Sequence, residues 1–134
     1  ALPISEVATH FITIDVIGAR TRDEAFRIAK TIADSPLNKT ALHGADPNWG
    51  RIVSSAGYAG VPLREEDISL RINGLDVYRD GAPLPFDPKT VSDSIRNNRD
   101  THIEMTLKLG NARVRYWTSD LTAEYVRLNA DYTT

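Results

Sequence analysis

The pair Asn73-Gly74 constrains the fold more than any other feature of this sequence. Both central positions of a type I′ turn need positive φ, so this pair is typical of a two-residue β-hairpin. Residues 68–72 alternate apolar and polar side chains before the turn, and residues 75–78 supply a return strand after it. A period of two indicates strands with one buried face. The sequence therefore predicts a fold that contains an antiparallel strand pair.

Two further segments have the same period. Residues 9–17 place Ile12, Ile14 and Val16 on one face, and Gly18 is expected to end this strand. Residues 103–109 also alternate, and the turn pair Gly110-Asn111 leads into a return strand at 112–116. These segments predict additional strands of a largely antiparallel sheet.

Helices are predicted between the strands. Residues 21–24 have the form of a capping box, and apolar residues follow at helical spacing as far as Ser35-Pro36. Asp46-Pro47 and Asp87-Pro88 each place a capping side chain before a proline, which favours a helix start. Residues 37–42 are predicted as a short strand, and Asp120 as the cap of a last helix. The order β-α-(β)-α-β-β-α-β-β-α predicts an α+β fold, helices packed on a largely antiparallel sheet, with residues 1–134 as a single domain.

Composition excludes several classes of protein. The formal net charge is -2, so the basic surface of a nucleic-acid-binding protein is not expected. The apolar runs are far shorter than the roughly 20 residues that cross a bilayer, so no membrane association is expected. The sequence has no cysteine, which rules out disulfides and thiolate metal sites and fits a cytoplasmic location.

Candidate chemistry is sparse. The histidines His10, His43 and His102 lack the paired spacing of a metal site and are interpreted as solvated surface residues. Residues 44–51 are the densest cluster of special residues. They favour a tight helix start with Trp49 in the core and Arg51 in an ion pair. A helix N-terminus that faces an anionic ligand is the alternative.

Three stretches carry a family resemblance: residues 31–37, the segment Lys-Thr-Ala-Leu-His-Gly-Ala-Asp-Pro-Asn-Trp-Gly-Arg at 39–51, and the ending at 120–134. Together they resemble the ornithine acetyltransferase family, also called bifunctional glutamate N-acetyltransferase/amino-acid acetyltransferase. The resemblance covers nearly the whole chain.

The resemblance implies a specific chemistry. Family precursors cleave themselves before a threonine, giving an α chain and a β chain that begins with that threonine. The threonine accepts an acetyl group from N-acetylornithine and passes it to glutamate in arginine biosynthesis. An N-terminal amine beside the hydroxyl can act as its base. The α chain supplies the oxyanion donors, and no metal or organic cofactor is required.

The resemblance also assigns substrate-binding residues. The family's asparagine and threonine near the C-terminus fall on Asn129 and Thr134. Its glutamate, in a run of the form Asp-Gly-Glu-Gly-Ala-Thr-Lys, falls on Glu6, where the run is Ile-Ser-Glu-Val-Ala-Thr-His. A carboxylate there suits the amino group of ornithine. Both flanking glycines and the lysine of the family run are replaced.

The sequence begins Ala-Leu-Pro and not with threonine. No catalytic residue is therefore expected among these 134 residues, and the chain alone is expected to be inactive. The expected partners are an α chain and the remainder of the β chain, in a hetero-oligomer formed from an autoproteolytic precursor. The alternative hypothesis is a catalytically inactive stand-alone remnant that acts as a small-molecule-binding or interaction module.

Overall fold

The strands form one six-stranded sheet in the computed structural model, which describes residues 11–119. In chain order the elements are β1 (Phe11–Ala19), α1 (Arg22–Asp34), α2 (Pro36–His43), α3 (Trp49–Ala56), a 3₁₀ turn (Glu65–Asp67), β2 (Ile68–Ile72), β3 (Leu75–Arg79), β4 (Ala82–Pro83), α4 (Pro88–Arg96), β5 (Asp100–Leu107) and β6 (Ala112–Ser119). The strand order is β4-β3-β2-β5-β1-β6. Among these six strands of residues 11–119, only the pair β1–β5 is parallel. The predicted α+β class is confirmed.

One hydrophobic core lies between the helices and one face of this sheet. The central strands contribute Ile12, Ile14 and Val16 from β1, and Ile103 and Met105 from β5, all of which are buried. The buried residues of α1 are the five that helical spacing predicts: Ala25, Ile28, Ala29, Ile32 and Ala33. The opposite face carries the alternate residues of each strand, most of them polar, because successive residues of a strand point to opposite sides.

Several local predictions are confirmed. Asn73 and Gly74 adopt φ values of 52° and 78°, and they join β2 to β3. The Thr21 hydroxyl accepts a hydrogen bond from the Glu24 amide at 3.1 Å and caps α1. The Asp87 carboxylate accepts one from the Lys89 amide at 3.1 Å and caps α4.

The prediction of a strand at residues 37–42 is wrong, because these residues lie in helix α2. Ser35 ends α1 and also begins α2, where its hydroxyl accepts a hydrogen bond from the Asn38 amide at 3.3 Å. Pro36 stands at the first position of the new helix, where its missing N–H costs nothing. The same serine-proline pair that stops one helix therefore starts the next.

Helix α3 begins later than predicted. Its cap is Asn48, whose side chain accepts a hydrogen bond from the Arg51 amide at 3.1 Å, and not Asp46. The Asp46 amide instead donates to the Ala41 carbonyl at 2.8 Å and closes the end of α2. The intervening Ala45 has a φ of 54°, so the chain changes direction before α3 starts.

Two strand boundaries also differ from the predictions. Gly18 does not end β1, since the strand continues to Ala19 through a change of register at Gly18. Strand β6 continues to Ser119, beyond the predicted return strand at 112–116, and residues 82–83 form the short edge strand β4. The helix predicted from Asp120 lies outside the described residues. No helix within residues 11–119 is long and apolar enough to span a membrane.

Candidate functional site

The predicted substrate-binding residues Glu6, Asn129 and Thr134 lie outside the described residues, in the segments 1–10 and 120–134. Both segments join the fold at one place, because Phe11 at the start of β1 pairs with Ser119 at the end of β6. Opposite residues of an antiparallel pair have Cα atoms about 4.5–5.5 Å apart. We call this end of the sheet, formed by residues 11–12 and 118–119, the terminal corner.

The helix-covered side of the terminal corner contains a narrow cavity. Its wall includes Ile12 and Thr118 from the sheet and Asn38 and Lys39 from α2. The remaining wall is apolar and consists of Ile14, Ile32, Ala33, Leu42 and Ile103. The cavity measures about 10 Å³, which is room for about one water molecule. A larger molecule would have to bind at its mouth.

Lys39 is the charged residue of this wall. Burial lowers the pKa of its ammonium group, and the charge of Asp34 opposes that effect only in part. Asp34 is itself bound by Lys30, with 2.6 Å between Nζ and Oδ2. The ammonium group of Lys39 is therefore partly desolvated near a carboxylate that another lysine already binds. Sequence reasoning included Lys39 in the family motif but assigned it no role.

The same corner holds two buried polar atoms that the described residues leave unsatisfied. Asn38 donates from Nδ2 to the Ile32 carbonyl at 3.1 Å and to the Ser55 hydroxyl at 3.0 Å, which ties α2 to α1 and α3. Its Oδ1 accepts no hydrogen bond from residues 11–119, and the hydroxyl of Thr101 has no partner there either. Thr101 pairs with Ile12 at the end of the sheet. Unsatisfied buried polar groups are rare in folded proteins.

The outer face of the sheet at the terminal corner is aromatic and exposed. The exposed fraction is 69% for Trp117 and 47% for Phe11. The Arg99 guanidinium lies 5.9 Å from the centroid of the Phe11 ring, which is the range of a cation–π interaction. The corner therefore has one cationic and two polar side chains in a largely apolar inner wall, and aromatic rings on its outer side.

Farther along the outer face, Asp15 is the centre of a charged cluster. Arg115 donates to its carboxylate twice, from Nε at 2.8 Å and from Nη2 at 3.0 Å. The Nε2 atom of His102 lies 2.6 Å from Asp15 Oδ2. The Asp15 side chain is only 5% exposed, whereas His102 is 39% exposed. His102 is therefore not a freely solvated histidine as predicted, since it is held by a buried carboxylate on the next strand.

The pKa of the Asp15 carboxyl group lies below its ordinary value. The hydrogen bonds from Arg115 are the largest cause, burial opposes them, and the hydrogen bond to His102 lowers the pKa further. A carboxyl group with a lowered pKa in the folded state stabilises the fold above its unfolded pKa, near 3.9. That contribution is lost as the pH falls through the lower, folded-state pKa.

Replacement of Asp15 by asparagine is expected to lower the free energy of unfolding at pH 7 by about 1–3 kcal/mol, because hydrogen bonds to a charged acceptor are lost. The variant should also lose less stability than the parent chain between pH 5 and pH 2. Urea unfolding at several pH values measures both effects. The control is Asp23→Asn in an exposed pair with Arg27, where the carboxylate is 77% exposed and little change is expected. Equal pH profiles for the parent and Asp15→Asn would contradict the prediction.

Residues 44–51 mainly shape the start of α3. Trp49 is partly buried and stacks on Tyr78, with ring centroids 5.2 Å apart. Arg51 donates to the Leu37 carbonyl at 3.5 Å, the long limit of a hydrogen bond, and it forms no ion pair of the predicted kind with residues 11–119. These contacts favour the structural interpretation of the segment. Among residues 11–119 no group of three or more acidic, histidine or cysteine side chains is placed to hold a metal ion.

Comparison with known proteins defines the family. The sequence model of the ArgJ family matches residues 4–134. The chain belongs to the ArgJ family. The match includes all three stretches that carried the resemblance, so the assignment to the ornithine acetyltransferases is confirmed. It also includes Glu6, Asn129 and Thr134.

ArgJ relatives and a solved ArgJ structure resemble the chain over most of its length. The arginine biosynthesis bifunctional protein ArgJ of Rhodopirellula baltica is 47% identical over 96% of this chain and 32% of its own length. Deinococcus radiodurans ArgJ is 42% identical over 96% of this chain and 33% of its own length. The crystal structure of Bacillus halodurans ArgJ matches with a TM-score of 0.85 and 36% identity, over 96% of this chain and 61% of that one. The chain thus spans about a third of the length of the curated relatives that it matches.

Proposed function

We propose that this chain is part of an acetyltransferase that moves an acetyl group from N-acetylornithine to glutamate in arginine biosynthesis. The observation that carries the proposal is the family match over residues 4–134, together with the names of the relatives. The chain spans only about a third of those relatives, and in this proposal the threonine nucleophile and the α chain belong to the remaining part. Residues 1–134 are then one domain of the β chain.

In this proposal Glu6, Asn129 and Thr134 bind the substrate. The topology supports a shared site, because the segments that carry them attach to neighbouring strands at the terminal corner. An extended chain covers at most about 3.3–3.6 Å per residue, so Glu6 lies within roughly 18 Å of Phe11 and Asn129 within roughly 36 Å of Ser119. The three residues can therefore converge on one substrate at this corner.

The charges also suit the substrates. The Glu6 carboxylate can bind the free amino group of N-acetylornithine through a charge-assisted hydrogen bond. Asn129 and Thr134 provide an amide and a hydroxyl, which can orient the polar atoms of a small amino acid. The chain supplies binding and orientation, and the acetyl-enzyme forms on the threonine of the remaining β chain.

The test requires the complete enzyme, in which this chain is joined to the part that its relatives have in addition. We expect Asn129→Ala and Thr134→Ala to lower kcat/KM for acetyl transfer from N-acetylornithine to glutamate by roughly 10- to 100-fold, the effect of losing one or two substrate hydrogen bonds. Matched controls are Asn111→Ala and Thr106→Ala, two exposed residues far from the terminal corner along the strands. These should retain the activity of the parent enzyme.

Unchanged activity in both Asn129→Ala and Thr134→Ala would refute the site assignment. Specific binding of ornithine or glutamate to the isolated chain, combined with an inactive complete enzyme, would instead favour the stand-alone binding module. The two outcomes are separated by a calorimetric titration of the isolated chain beside the activity assay of the complete enzyme.

A further inference from the structure

We propose that Lys39 binds the α-carboxylate of the amino-acid substrate at the mouth of the cavity in the terminal corner. The inference rests on the proposed function and adds a residue to its site. Three observations carry it: the position of Lys39, the state of its ammonium group, and the incomplete hydrogen bonding of the surrounding wall.

The position of Lys39 is fixed by the fold. It lies on α2 and lines the same cavity as Ile12 and Thr118, each of which is one residue from the limit of the described chain. The segments that carry Glu6, Asn129 and Thr134 continue from those two strand ends. Lys39 is thus the cationic wall residue of the corner at which the proposed substrate-binding residues attach.

Helix α2, which carries Lys39, is anchored to its neighbouring helices. The neighbouring Asn38 ties the helix to α1 and α3 through buried hydrogen bonds to Ile32 and Ser55. Lys39 is itself only partly accessible, in contrast to Lys30 and Lys89, which form exposed pairs on the surface. A positioned side chain loses less conformational entropy when it binds a ligand, which favours affinity and specificity.

The ammonium group of Lys39 is partly desolvated, and Asp34, the described carboxylate that acts on its pKa, is bound by Lys30. Desolvation disfavours the charged form unless an anion compensates it. A substrate carboxylate supplies that anion. Its binding would restore to Lys39 the interactions that burial removes, and a charge-assisted hydrogen bond of this kind is about twice as strong as a neutral one.

Two buried polar atoms near Lys39 also lack hydrogen-bond partners among the described residues. The Asn38 carbonyl oxygen, on the same cavity, and the Thr101 hydroxyl, on the strand beside Ile12, are buried without a partner among residues 11–119. A water molecule or a polar group from outside these residues would complete their hydrogen bonds. N-acetylornithine and glutamate both carry an α-carboxylate, which Lys39 would bind. Glu6 would bind the free amino group of N-acetylornithine, so each charged end of that substrate would face a side chain of opposite charge.

The test compares two donors in the complete enzyme: N-acetylornithine, which has one carboxylate, and its α-carboxamide, which has none. We expect the parent enzyme to prefer the acid in kcat/KM for ornithine or ornithinamide release by roughly 10- to 100-fold. Lys39→Met should lower kcat/KM for the acid by about the same factor and leave the amide unchanged, so the preference disappears. Lys39→Arg, which keeps the charge, should retain most of the preference and also checks that the position tolerates substitution.

Lys89→Met is the matched control, because it removes an exposed lysine that pairs with Asp93 on α4, away from Lys39 and Asp34, and should leave the preference intact. Equal losses for acid and amide in Lys39→Met would overturn the inference, since they would mean that Lys39 supports the fold or binds a carboxylate of the protein. Unchanged rates for both donors would overturn it as well. A parent enzyme that transfers no acetyl group would refute the proposed function itself. A parent enzyme that is active but does not prefer the acid over the amide would refute only the role of Lys39.

Discussion

Replacement of Gly18 by alanine is expected to destabilise the chain by about 2–5 kcal/mol. Gly18 lies within β1 with a φ of 87°, a conformation that costs an L-residue roughly 1–2 kcal/mol. A Cβ atom there would lie 2.1 Å from the Leu107 carbonyl oxygen of β5. That oxygen belongs to backbone, so relief requires a strand to move, and overpacking of this kind costs about 1–3 kcal/mol more.

Gly74→Ala separates the two causes. Gly74 has a similar φ of 78° in the β2–β3 turn, but no atom lies within 4 Å of an added Cβ. This variant should therefore lose only the conformational part, about 1–2 kcal/mol. Urea unfolding followed by far-UV circular dichroism measures both. Equal losses at the two glycines would show that the close approach of β1 to β5 at Gly18 does not occur.

Gly18 also illustrates which strand features a sequence reveals. From the sequence, Gly18 was interpreted as the end of β1, because a glycine after alternating residues usually marks a break in a strand. In the fold it allows a bulge, and its carbonyl oxygen accepts hydrogen bonds from the amides of Leu109 and Gly110 at 3.0 and 2.8 Å. These partners are about ninety residues away in sequence. A local pattern identifies the glycine but not the distant strand that requires it.

The helix boundaries were also predicted from local residues alone, namely capping side chains and prolines. Ser35-Pro36 predicted the end of α1 correctly, but the same pair also begins α2. Asp46-Pro47 and Asp87-Pro88 have the same local form, yet only the second starts a helix. The difference lies in the preceding residues, because Asp46 follows closely on α2 and its amide closes the end of that helix on the Ala41 carbonyl. Capping chemistry predicts where a helix can begin, whereas the end of the preceding helix decides here which of two nearby caps is used.

The candidate site was predictable only in part. The family motifs singled out Glu6, Asn129 and Thr134 without any geometry. The cluster of Asp15, Arg115 and His102 was not recognised, because its members come from three strands that are adjacent only in the folded sheet. The polar positions of β1 and β5 were placed on the outer face by their period of two, and the register then brings Asp15 beside Arg115. Alternation reveals a face but not the neighbours on it.

Replacement of Ile103 by alanine is expected to lower the free energy of unfolding by about 2–5 kcal/mol. Ile103 is fully buried in β5, with Ile14 of β1 and Ile72 of β2 as its cross-strand neighbours. It also lines the small cavity at the terminal corner. Truncation therefore removes buried apolar surface and enlarges an existing void that the surrounding β-sheet cannot readily close.

The control Ile17→Ala tests which face of the sheet packs against the helices. Ile17 lies on the outer face of β1 and is only partly buried, so its loss should cost about 1 kcal/mol or less. Because a slip of one residue would exchange the two faces of a strand, the ratio of the two losses reports the register of the sheet. Urea unfolding of both variants measures this ratio. A larger loss at Ile17 than at Ile103 would contradict the placement of the core between the helices and the inner face.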